Sequence, residues 1–102
     1  MAFMYITEFA SEGVDTKGRE IPVAKQLPIA EQRVGVSGVS AQSATLNEDT
    51  AFVRINVDGN TGVLFGLNPT AVATSMRMAT NQTEYFAVQT NCGFKIAGIT
   101  IA

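Results

Sequence analysis

Outside its turns, almost every stretch of this chain alternates its side chains with a period of two. That period belongs to β-strands, whose successive side chains point to opposite faces of a sheet. The clearest case is Ala51 to Val57, where Val53, Ile55 and Val57 point one way and Phe52, Arg54 and Asn56 the other. From Pro28 to Val39, the residues Ala30, Gln32, Val34 and Val36 share one face. In Ala2 to Phe9, Phe3, Tyr5 and Phe9 fall on one face and Met4 and Ile6 on the other. Both faces are then apolar, as in a strand covered on two sides. The last run, Phe94 to Ile101, has the same character, with Phe94 and Ile96 on one face and Ile99 and Ile101 on the other.

Turn residues punctuate these runs. Asp58-Gly59 between two apolar stretches predicts a hairpin. Gly66 to Thr70, Asn81-Gln82 and Thr90 to Gly93 mark further breaks, and Ser37 to Thr50 reads as a surface connection. Residues 71–78 fit both a helix and a strand spacing, and their surroundings favour a strand. Residues 11–26, polar from Ser11 to Glu20 and broken there by Gly13 and Gly18, leave room for a short extended piece at Ile21-Pro22-Val23. They read as an extended arm or loop, which fully stretched would reach on the order of 50 Å at ~3.3 Å per residue. The expected fold is all-β, an antiparallel β-sandwich or jelly-roll-like barrel of seven to eight short strands. It forms a single domain over residues 1–102.

Composition narrows the function. Only 16% of the 102 residues are charged while 46% are hydrophobic, against about 25% charged in a typical soluble domain. A domain of this size leaves much of its surface exposed, so apolar strand faces call for a cover, most simply another protein. The net charge of −2, with no basic block, disfavours nucleic-acid binding. No apolar run approaches the ~20 residues that a membrane helix needs. The start, Met1-Ala2-Phe3-Met4-Tyr5, has no basic n-region, so no signal peptide is expected.

Catalytic chemistry finds little to work with. Histidine is absent and Cys92 is the single cysteine, which excludes an intrachain disulfide and any Ser-His or Cys-His arrangement within one chain. A zinc site would need several such ligands. Glu48 and Asp49 are adjacent and point apart on an extended chain, while Glu8, Glu12, Asp15 and Glu20 lie in or near the polar arm. The acidic residues between Asp49 and Asn60 do not follow calcium-loop spacing. No catalytic, cofactor-binding or metal-binding residue is expected. Contacts with other proteins are expected at Phe3, Tyr5, Leu27, Pro28, Phe52 and Arg54. Phe52 and Arg54 face away from the half-buried side of their strand, and a ring beside an arginine is a common contact anchor. The two terminal strands are expected at sheet edges, where unpaired backbone groups invite pairing.

A set of segments in fixed order resembles a known group of proteins. They are Leu27-Pro-Ile-Ala-Glu-Gln-Arg-Val-Gly-Val-Ser-Gly-Val leading into Ser40-Ala-Gln-Ser, then Ala51-Phe-Val-Arg-Ile, Phe65-Gly-Leu-Asn-Pro-Thr-Ala, Arg77-Met-Ala and Glu84-Tyr-Phe-Ala-Val. From Leu27 to Ile101 the chain resembles small structural proteins of tailed bacteriophages, some of them capsid cement or decoration proteins. The resemblance implies a β-rich virion component with no catalytic residues to carry over. The expectation is a homo-oligomer, a trimer being favoured, that binds the major capsid protein or another virion protein and is located in the virion, which is assembled in the bacterial host cytoplasm. It is not expected to bind nucleic acid or membrane. A tail, connector or fibre-attachment subunit is the alternative within structural proteins. A carbohydrate-binding adhesion module using Phe52 or Tyr85 is the alternative of another class.

Overall fold

The computed structural model describes the backbone of residues 2–14, 20–24 and 28–101, and the side chains of residues 2–11 and 28–101. The described residues are all-β, without a helix. The strands are β1 (Ala2–Phe9), β2 (Glu12–Val14), β3 (Glu20–Ala24), β4 (Ala30–Val36), β5 (Ala41–Gln42), β6 (Phe52–Val57), β7 (Thr61–Gly66), β8 (Met76–Met78), β9 (Thr83–Ala87) and β10 (Lys95–Thr100). Eight of them make two four-stranded sheets, in the orders β4-β1-β6-β9 and β5-β10-β7-β8, and β2 pairs separately with β3. All pairings are antiparallel. The two sheets pack face to face as a β-sandwich, and no barrel closes.

Period-two burial builds the core. Met4, Ile6, Val34, Val36, Val53, Ile55 and Val57 from the first sheet meet Val63, Met78 and Ile96 from the second, with Leu46 from the segment after β5. Each fully buried side chain of this kind contributes roughly 1.5–3 kcal/mol. Phe65 of β7 meets Phe86 of β9 between the sheets at a centroid distance of 5.4 Å. Gly98 lets the layers approach closely. A Cβ there would lie 2.8 Å from Val36 Cγ1 and 3.3 Å from Met4 Cε.

Several expectations are corrected. Neither terminal strand is an edge: β1 lies between β4 and β6, and β10 between β5 and β7. Two apolar faces record burial, and they are silent on a strand's place within its sheet. Asp58-Gly59 does not close a hairpin, because β6 and β7 belong to different sheets. The turn carries the chain across the sandwich, and Asp58 Oδ1 accepts the Phe3 amide at 2.6 Å to tie it to β1. Gly59 is needed for space, since its Cβ would meet Ala2 Cβ at 2.8 Å. Of residues 71–78, Met76–Met78 is strand and the rest is loop. Within 11–26 the described residues pair as β2 and β3 in place of an unpaired arm or loop, and the expected extended piece Ile21-Pro22-Val23 lies in β3. The connection Ser37 to Thr50 contributes β5 and the buried residues Ser43, Leu46 and Thr50.

Glu8 is the largest departure from a surface reading of the charges. It is 2% exposed on the inner face of β1. Its Oε1 accepts the Asn47 amide and the Thr50 hydroxyl, each at 2.7 Å. A buried carboxylate is tolerable only when donors replace its water, and here those donors come from the turn that leads into β6.

Candidate functional site

The two outer faces of the sandwich are treated differently. On the second sheet, the segment 67–75 between β7 and β8 folds back over the strands. Gln42 Nε2 of β5 donates to Asn68 Oδ1 at 2.9 Å and to the Pro69 carbonyl at 2.7 Å. The Ala71 amide donates to Ser40 Oγ at 2.8 Å. Over β7, the Val72 carbonyl lies 3.1 Å from where a Cβ on Gly62 would sit. Pro69 and Ala71 are buried in this segment, and Ala97, which alternation turns outward, is fully buried as well. The chain thus covers part of its own second sheet, while Leu64 of β7 stays 40% exposed and Leu67 and Val72 of the segment itself face solvent.

The outer face of the first sheet has no such strap among the described residues. Register sets its side chains in rows across the four strands. Arg33, Tyr5, Asn56 and Thr83 form one row, and Glu31, Thr7, Arg54 and Tyr85 the next. Phe9 and Phe52 pair in the row beyond, and Phe3 lies opposite Gly35 at the other end. The rings touch in two groups. Phe3 and Tyr5 are 6.4 Å apart, with the Arg33 guanidinium 4.3 Å from the Phe3 centroid. Phe9 stacks on Phe52 at 5.1 Å, and Phe52 meets Tyr85 at 6.3 Å. Tyr5 is 38% exposed and Tyr85 56%, whereas Phe9 is buried at 5%. A shallow open depression of about 280 Å³ runs between β1 and β4, lined by Tyr5, Thr7, Glu31 and Arg33 among others.

Four of the sequence-derived contact residues, Phe3, Tyr5, Phe52 and Arg54, are brought onto this one face. Pro28 is partly buried just before β4, and Leu27 lies outside the described residues. Arg33 belongs to the same face and was signalled by the alternation itself: if Ala30, Gln32, Val34 and Val36 point inward, Glu31 and Arg33 point outward. Tyr85 joins through the pairing of β9 with β6.

The arrangement offers rings and guanidinium groups for binding. Among the described residues, no cluster of three or more His, Cys, Asp or Glu side chains could hold a metal. No described helix is long and apolar enough to cross a membrane. Comparison with protein-family models, with curated proteins and with solved structures finds no match for this chain.

Proposed function

We propose that this chain is a structural, non-enzymatic protein of a tailed-bacteriophage particle, a cement or decoration subunit that bridges neighbouring shell subunits. The observation that carries the reading is the asymmetry of the two outer faces. One is partly strapped by segment 67–75, with Leu64 still exposed, and the other presents exposed Tyr5, Tyr85 and Arg33 beside a half-buried Arg54, with no strap among the described residues. The resemblance of the segments from Leu27 to Ile101 to phage structural proteins supports the same reading. In it, the partner is the major capsid protein or another virion protein, the subunit is a homo-oligomer, a trimer by preference, and its place is the virion.

The mechanism is mechanical. A protein that binds the assembled shell and not its dissociated parts stabilises assembly by mass action. Apolar burial contributes about 25 cal/mol per Å², much of it offset by the entropy lost on association. The remainder is small for one contact and large when repeated over a shell. Heating tests this. Particles made without the protein should release their genomes at a lower temperature than complete particles, and equal heat resistance rejects the role. A copy number matching a tail or neck ring, rather than the shell, favours the tail or connector alternative.

The 56% exposure of Tyr85, beside Phe52, also favours a second reading as a glycan platform. Glycan binding that is lost in Tyr85→Ala would favour it over cement.

A further inference from the structure

Resting on that reading, we infer that the outer face of the first sheet docks on an acidic patch of a shell protein, and that it does not pair with a second copy of this chain. Charge is the first argument. The chain carries a net charge of −2, yet the rows of this face hold Arg33 and Arg54 against the single carboxylate of Glu31. Asp58, at the rim, accepts the Phe3 amide and keeps its charge, so the excess of positive charge is confined to the rows themselves. A cationic face on an acidic protein is complementary to an acidic partner. Two copies meeting face to face would bring four arginines together against two carboxylates.

Size is the second argument. Four strands about 4.8 Å apart, each contributing roughly 20 Å of length, present a face of about 400 Å². A stable interface needs about 800 Å² from each partner. A face of this footprint is at the small end for a free dimer and suits a weak contact repeated across a shell. Any homo-oligomer would form through other surfaces. Two arginines are also few for a nucleic acid, which is neutralised one phosphate at a time along its length.

The experiment is co-sedimentation of the purified protein with emptied shells from particles that lack it, at low and at high salt. Wild-type protein should bind, and more weakly at high salt, where the screening length falls to a few ångströms. Arg33→Glu with Arg54→Glu should lose about tenfold or more in affinity. The charge-conserving pair Arg33→Lys with Arg54→Lys should keep most of it. Arg77→Glu, an exposed change on β8 of the second sheet, should bind as wild type. Circular dichroism and a thermal melt check that each variant is folded, and the neutral pair Arg33→Gln with Arg54→Gln, expected to lose part of the affinity, stands in if the double Glu variant is not.

Binding by wild type that is unaffected by either charge-removing pair overturns this inference and leaves the cement reading intact, as does an equal loss in Arg77→Glu. No binding by wild type under any salt overturns both. Self-association of the free protein that the arginine variants abolish assigns the face to a second copy. Tighter, arginine-dependent binding to DNA released from the same particles assigns it to nucleic acid. Either outcome overturns the inference.

Discussion

The carboxylate of Glu8 accepts a hydrogen bond from the hydroxyl of Thr50 at 2.7 Å inside the sandwich, 42 residues away along the chain. Both side chains are almost fully buried, and the Asn47 amide donates to the same carboxylate oxygen at 2.7 Å. The contact fixes the turn before β6 to the end of β1. Glu8→Ala removes the acceptor for one buried and one partly buried donor and leaves a cavity, and should cost about 3 kcal/mol. Thr50→Val should cost about 1 kcal/mol, and the double variant less than the sum, because the two residues share one contact. Denaturant unfolding of the four proteins checks this. Additive losses would show that the pair does not act as a unit.

Gly98 sets how closely the sheets approach. Its missing Cβ would come within 2.8 Å of Val36 Cγ1, so Gly98→Ala overpacks the core and should destabilise by about 1–3 kcal/mol. Val36→Ala opens space at the same point. The combination should be less unstable than the two single losses predict, because the residues are in contact. Unfolding curves for the singles and the double decide the matter, and strict additivity would contradict the packing described.

The strap over the second sheet hangs on few hydrogen bonds. Ser40→Ala removes the acceptor for the Ala71 amide, and that amide should then exchange with solvent about tenfold faster or more, as in local opening. Amides in the centre of β6 should keep their protection. Exchange followed by NMR would count against the strap if Ala71 were unchanged.

The fold class was legible because alternation survives wherever one face is buried. Val53, Ile55 and Val57 are all fully buried, while Phe52, Arg54 and Asn56 between them point outward. Long-range choices were not legible. Asp-Gly serves a hairpin and a crossing between sheets equally well. At Gly59 what matters is the approach of Ala2 from the far end of the chain. Glu8 reads as a surface charge, since the donors that make its burial tolerable lie 39 and 42 residues downstream.

The candidate site shows the same division. The outward direction of Phe3, Tyr5, Phe52 and Arg54 follows from local alternation. Their meeting on one face follows from the order β4-β1-β6-β9, which no local pattern encodes. The bare state of that face depends on where segment 67–75 folds back, which the ambiguous spacing of residues 71–78 leaves open.

The chain contains two tyrosines, and both stand on the outer face of the first sheet, Tyr5 at 38% and Tyr85 at 56% exposure. Nitration of the free protein and of intact particles, read by peptide mass spectrometry, therefore probes that face directly. The account predicts that both tyrosines react in the free protein and that both are protected in the particle. Equal reactivity in the two states would contradict it, because the face would then be as open in the assembly as in solution.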